Sequence, residues 1–204
     1  MIFDIVQVGD PVLRRGSRPL AAAEIPSPFV QELIVSMRQT MHAASGVGLA
    51  APQVGEALQV VVMEDDGDAI EAMSLARRDE LGRDRLPFTV VINPVVEPVG
   101  DGTTECFEGC LSLSGFSALV LRWSRVTVRG LDQTGAPVEF ELEGWPARIA
   151  QHEADHLAGV LYVDRMDPRS LTSFDNLARY WKARPAVEVH QGLAQGGAPA
   201  GQRE

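Results

Sequence analysis

The stretch Gln151-His152-Glu153-Ala154-Asp155-His156 restricts what this chain can fold into more than any other. Two histidines four residues apart on a helix lie one turn above each other on one face. Both imidazoles then reach a single metal ion, while Glu153 leans over the open coordination position. The flanks favour such a helix. Pro146 after Gly144 suits a first helical position, residues 147–150 propagate well and Gly159 is a natural stop, which predicts a helix over residues 146–158. Its inward stripe, bracketed by Ile149 and Leu157, carries His152, Glu153 and His156. Burying a carboxylate and two imidazoles unpaired costs roughly several kcal/mol. A histidine found alone on an apolar face is usually a satisfied core residue, but a metal resolves the conflict for this trio, and the rest of the chain should supply its other ligands.

A chain of 204 residues predicts one domain, or one domain with tails. Apolar residues at 45% and charged residues at 23% describe an ordinary globular protein. A net charge of -10, with no cluster of Lys and Arg, argues against a nucleic-acid face. The start Met1-Ile2-Phe3-Asp4-Ile5-Val6 has no positive n-region, and no stretch approaches a membrane span, so a cytoplasmic protein without membrane contact is expected. In a reducing compartment the two cysteines, Cys106 and Cys110, favour a free thiolate ligand over a disulfide.

Along the chain, Gly9 to Arg14 reads as a turn and a short strap over the core. Ser27-Pro28 opens a helix whose inner face repeats Phe29, Leu33, Met37, Met41 and Ala44, ending before Gly46. His42 belongs to its surface. The next stretch, Gly46-Val47-Gly48-Leu49-Ala50-Ala51-Pro52-Gln53, looks superficially like a dinucleotide fingerprint. It follows a helix and meets a proline, the reverse of what that motif requires. Its small residues suit an extended segment that another backbone or a ligand approaches closely. Gln53 is then a candidate hydrogen-bond donor to a reacting oxygen.

Residues 58–63 read as a buried strand and 64–87 as a charged, solvated excursion with a short helix over 69–78. Residues 88–93 form a second strand closed by Asn93-Pro94, with Val95-Val96 beginning a third. Strands follow at 118–123, 125–131 and 137–142, the last two joined by a hairpin turn at Asp132-Gln133-Thr134-Gly135. Residues 160–163 predict another strand and 171–182 a short amphipathic helix. The segment 185–204 is expected to be a disordered tail beyond a single catalytic domain of 1–184. Between these lies Glu105-Cys106-Phe107-Glu108-Gly109-Cys110-Leu111-Ser112. Cys110 supplies the missing third ligand, preferred over Cys106 because Gly109 lets the backbone turn tightly. Two His, one Cys and an open position make a catalytic rather than a closed structural site.

Three segments together resemble the peptide deformylase family. Its motifs Gly-x-Gly-x-Ala-Ala-x-Gln, Glu-Gly-Cys-x-Ser and Gln-His-Glu-x-Asp-His match residues 46–53, 108–112 and 151–156 at every defined position and in order. The similarity extends from Gly9-Asp10-Pro11-Val12-Leu13-Arg14 through Asn93-Pro94 to about Asp164. The resemblance implies an α+β fold, with mixed, mostly antiparallel sheets around the central metal-binding helix, and removal of the formyl group from the N-terminal methionine of new polypeptides. It implies one divalent ion held by Cys110, His152 and His156, Fe²⁺ first, with Zn²⁺, Ni²⁺ or Co²⁺ accepted. Glu153 is the expected acid/base, and the Gln53 amide with the Leu111 backbone N–H would hold the oxyanion. Asp155 is expected behind the ligands, orienting an imidazole. N-formylmethionyl peptides are the expected partners, lying as an extra strand against Val47 and Gly48 and facing Gly109. The methionine would enter a pocket formed by Val47, Trp145 and Ile149.

Departures fall near the substrate. Many relatives have Pro after Leu113, then an Arg facing the substrate; this chain has Ser114 and Ser117. Some relatives approach the ribosome through a basic C-terminal helix. Here that part is short and the tail not basic, so a transient ribosome contact is open and a monomer expected. Two other readings stay on the table: a zinc peptidase with a downstream carboxylate ligand, Asp175 being the candidate, and a non-catalytic relative that keeps the metal. An intact Glu153 and Gln53 weigh against the second.

Overall fold

In the computed structural model the described residues are 1–65, 67–71, 73–182 and 184–195, without the side chains of residues 68, 69, 76, 77 and 80. Ser27 caps the first long helix, α1 (Pro28–Ala43), accepting a hydrogen bond from the Val30 N–H, and Pro28 occupies the first turn. The buried stripe is Val30, Leu33, Ile34, Met37 and Met41. Phe29 lies outside it at 55% exposure, contrary to the sequence reading, because Val30 one position on shares the face of Leu33 and Met37.

After α1 the chain makes β1 (Gly48–Ala50), a short 3-10 turn over Ala51–Val54, and β2 (Val60–Asp65). Next come two short helices, α2 (Asp68–Glu71) and α3 (Leu75–Leu81), where one was expected. The excursion is not wholly solvated either. Arg83 forms a bidentate pair with Asp65, whose side chain is buried, and its guanidinium lies 5.4 Å from the Trp145 ring centroid. β3 (Leu86–Pro98) runs through Asn93-Pro94 as one strand rather than stopping there. The register shifts between Ile92 and Val95, with Asn93 in the left-handed region, and the Asn93 amide pairs with both the N–H and C=O of Leu20. A bulge therefore absorbs the proline.

Then follow β4 (Thr103–Cys110), β5 (Leu113–Trp123), β6 (Arg125–Leu131) and β7 (Pro137–Glu143). α4 (Gly144–Leu157) carries the histidine motif, starting two residues before Pro146. Residues 160–163 form no strand. Asp164 accepts from the Leu161 N–H and turns the chain into a 3-10 segment, Tyr162–Asp164. The expected helix over 171–182 resolves into β8 (Thr172–Ser173), one helical turn α5 (Phe174–Asn176) and a π-helical turn, Leu177–Trp181. Beyond it a helix, α6 (Ala186–Ala194), stands where disorder was expected, and it buries Val189 and Gly192. Residues 196–204 of that expected tail lie outside the described residues.

The strands form two antiparallel sheets, ordered β1-β2-β3-β6-β7 and β4-β5-β8. β2 is buried on both faces, which explains its unbroken apolar run. Val60 and Val62 join the cluster under α1, whereas Val61 and Met63 join Ala147, Ile149 and Ala150 of α4. α4 touches strands of both sheets and so lies at the centre of the α+β fold. β1 and β4 each end a sheet; β1 packs on α4, and β4 meets it where Arg148 donates to the Glu108 carboxylate and the Thr104 carbonyl.

Candidate active site

Strand parity and helical spacing build the site. On β4 successive side chains point to opposite faces, so Cys110 and Glu108 share the face turned toward α4. On α4, Arg148, His152 and His156 follow at intervals of four on one stripe. Donor atoms of Cys110, His152 and His156 all lie within 4.8 Å of one another, with Cys110 Sγ 3.2 Å from His156 Nε2. Asp175, the carboxylate of the rival reading, is not in this group.

The group that orients His152 is Glu108, not Asp155. His152 Nδ1 lies 2.9 Å from Glu108 Oε2, which leaves Nε2 for the centre of the group. Glu108 also accepts a bidentate pair from Arg122 (2.9 and 3.0 Å) and a third bond from Arg148 (2.6 Å). Burial alone would raise its pKa, yet His152 and Arg122 hold it well below the usual carboxylate range. Asp155 pairs with arginines rather than with an imidazole. It accepts from Arg122 (2.5 Å) and from Arg165 (2.7 and 2.8 Å), so it steadies Arg122, which in turn fixes Glu108. Two signals in the sequence could have found Glu108: its even spacing from Cys110 on a strand, and Arg148 one turn before His152, a buried cation needing a buried partner.

Glu153 points into the same space. Its Oε2 is buried with no partner among the described residues, and desolvation raises its pKa to about 7. A Cβ at Gly48 would sit 2.8 Å from Glu153 Cδ and closer still to Oε1, so only glycine lets β1 approach this carboxylate. Gln53, 1% exposed, is fixed at both ends. Its Oε1 accepts from the Ala50 N–H at 2.8 Å, which aims Nε2 at Cys110 Sγ (3.6 Å) and Ser112 Oγ (3.3 Å). Leu111 follows the register shift at Cys110 and packs over Gly46, where a Cβ would come 2.7 Å from Leu111 Cδ1.

A cleft of about 440 Å³ opens over this group between β1 and β4. Val47, Gly48, Gly109, Trp145 and Ile149, named from the sequence as substrate contacts, all line it. So does Phe174, which the sequence did not suggest and whose ring would lie 3.3 Å from a Cβ at Gly109. Ser117 offers no cation to the cleft; it is buried and donates to the Glu108 carbonyl at 2.7 Å.

The family model described as polypeptide deformylase matches residues 2–171. The chain belongs to the peptide deformylase family. With membership comes its class: a hydrolase that removes the N-formyl group from nascent polypeptides. Peptide deformylase 1 of Streptomyces coelicolor is 48% identical over 177 residues, covering 87% of this chain and 79% of that protein. The chloroplastic peptide deformylase 1A of Solanum lycopersicum is 47% identical, covering 85% and 63%. Among solved structures, peptide deformylase of Thermotoga maritima aligns with a TM-score of 0.69 at 36% identity, covering 82% of this chain and 99% of that one. The class I type b enzyme of Acinetobacter baumannii with Met-Ala-Ser bound gives 0.72 at 30% identity, covering 81% and 99%. These likenesses account for the α+β fold and leave the role of each side chain to be argued from its geometry.

Proposed function

We propose that Cys110, His152 and His156 hold one divalent metal ion and that Glu153, Gln53 and Leu111 carry out deformylation around it. The observation that carries this reading is the convergence of a thiol, two imidazoles and an unpartnered buried carboxylate at the floor of one cleft. A soft sulfur with two nitrogens suits a first-row transition metal, and Fe²⁺ is proposed with Ni²⁺, Co²⁺ or Zn²⁺ able to replace it. The chemistry supplied by such an ion when held there is to acidify a water molecule and polarise the formyl oxygen.

Glu153 takes the proton of the attacking water as its oxygen adds to the formyl carbon. Burial holds the Glu153 carboxyl above the usual carboxylate range, which suits it to taking and giving a proton. The Gln53 amide, already aimed at Cys110, and the Leu111 N–H hold the negative oxygen that develops. Glu153 then delivers its proton to the amine as the C–N bond breaks, leaving formate and a free N-terminus. Glu108, fixed by Arg122 and Arg148, keeps His152 in one tautomer throughout. The peptide adds to the exposed edge of β1, with its first side chain against Val47, Trp145 and Ile149. A cytoplasmic setting is proposed with this, because a Cys110 thiolate that holds a metal ion needs a reducing compartment.

The test is formate release from formyl-Met-Ala-Ser by protein purified without oxygen, with the bound metal assayed on the same sample. Formate together with about one iron per chain is expected. A full iron or nickel complement without formate would refute the activity.

A further inference from the structure

A second cavity, of about 370 Å³, adjoins the catalytic cleft. Three parts of the chain continue from one into the other. β4 lends Glu108, Gly109 and Cys110 to the cleft, and Cys106 and Phe107 to the cavity. The C-terminal segment lends Phe174 to the first, and Leu177 and Trp181 to the second. Trp145 lines both. Leu177 and Trp181 lie beyond residue 171, where the match to the family model ends.

We infer that the second cavity receives the fourth to sixth residues of the peptide substrate and selects apolar ones. This rests on the deformylase reading of the first cleft. A peptide whose first residue sits at Gly109, and which runs antiparallel to the edge strand β4, reaches the level of Phe107 with its third residue and of Glu105 with its fifth. At ~3.3 Å per residue, three further residues span roughly 10 Å, the scale of a cavity this size. Continuity with the cleft names the occupant, and two indoles with Leu177, Phe107 and Leu119 make the lining mostly apolar, with Glu105, Lys182 and Arg184 also part of it. Because these contacts lie far from the reacting bond, they act equally on bound substrate and transition state. They lower KM and leave kcat alone.

The experiment compares formyl-Met-Ala-Ser with formyl-Met-Ala-Ser-Leu-Leu-Phe and formyl-Met-Ala-Ser-Ser-Gly-Ser, using the nickel-loaded full chain. The apolar hexapeptide is expected to show about tenfold higher kcat/KM than the tripeptide, through KM, and the polar one no gain. Trp181→Ala and, independently, Leu177→Ala should abolish the gain while tripeptide turnover stays within about twofold. Binding of the deformylated apolar hexapeptide, which needs no turnover, should change the tryptophan fluorescence of the native chain more than that of Trp181→Ala, in which Trp145 still reports the cleft. Equal kcat/KM for all three peptides, or an apolar gain surviving both substitutions, would overturn the inference. Absence of formate from every peptide would instead overturn the activity on which it rests.

Discussion

α1 and α4 pack against opposite faces of the same five-stranded sheet, yet they are held by different physics. α1 turns Leu33, Ile34, Met37 and Met41 inward and keeps its charges outside, where Arg38 and His42 meet Glu64 of β2. α4 turns Arg148, Gln151, Glu153 and His156 inward, all buried, and the smaller sheet answers Arg148 with Glu108, which Arg122 also holds. An apolar contact loses its own area when truncated. A buried ionic one also strands its partners without water. The central helix is therefore the more fragile of the two, and its fragility is tied to the site it carries.

The widest separation of function from stability is expected at Glu153. Glu153→Ala should lower formate turnover by roughly 10²–10⁴-fold. Its metal content should be unchanged and its stability equal or higher, because a buried carboxylate without a partner is removed. Normal turnover in this variant would take the acid/base role away from Glu153.

Glu108→Ala comes next and should hurt both properties at once. Arg122 and Arg148, with side chains 4% and 5% exposed, lose their shared anion. A loss of about 3–5 kcal/mol in urea unfolding is expected. Metal affinity should fall by about 10–100-fold, because His152 loses the acceptor at Nδ1. Stability lost with metal affinity intact would reduce Glu108 to a structural ion pair.

Met37→Ala is the counterpart on α1. Met37 is fully buried among Leu33, Val60 and Val62, and its truncation should cost about 2–4 kcal/mol. Formate turnover per folded molecule should change by less than about twofold, since α1 lends no side chain to the cleft. A larger drop would show that α1 positions β1, and through it Gly48, against Glu153.

The same contrast explains what could be read before the fold was known. α1 follows apolar periodicity, so its limits and most of its stripe were legible, and Phe29 was misplaced only because Val30 is equally apolar. α4 was legible by its chemistry, since His152 and His156 at helical spacing leave few other uses. The hidden parts are those whose meaning depends on long-range pairing. Asp155 looked like an imidazole partner beside His156. The structure instead gives it two arginines, Arg122 from β5 and Arg165, which no local pattern announces. Phe174 reaches the cleft because two residues before it pair with Phe116 and Ser117 of β5, a bridge too short to leave a strand signature. The bulge at Asn93 is hidden for a related reason: Asn-Pro signals a stop, and only the pairing with Leu20 lets β3 continue.

The smallest expected effect sets the scale for charges at the surface of α1. Glu64 accepts from Arg38 at 2.6 and 2.8 Å and lies 2.7 Å from His42 Nε2. The Arg38 hydrogen bonds lower its pKa below the ordinary glutamate value, against the opposing effect of burial. A carboxyl with a depressed folded pKa contributes stability that is fully present above its unfolded value and lost as pH falls through the folded one. Glu64→Gln should thus cost less than about 1 kcal/mol at pH 7, given that Arg38 is 43% exposed. The difference from the native chain should shrink once the pH drops below about 4.5 and should be weaker at 1 M than at 0.1 M salt. Chemical unfolding of both chains across that range reads it directly. A deficit undiminished as the pH falls well below the ordinary glutamate range would mean that Glu64 works by packing and hydrogen bonding alone. In that case the charge of Glu64 would add nothing to what its hydrogen bonds already contribute to this fold.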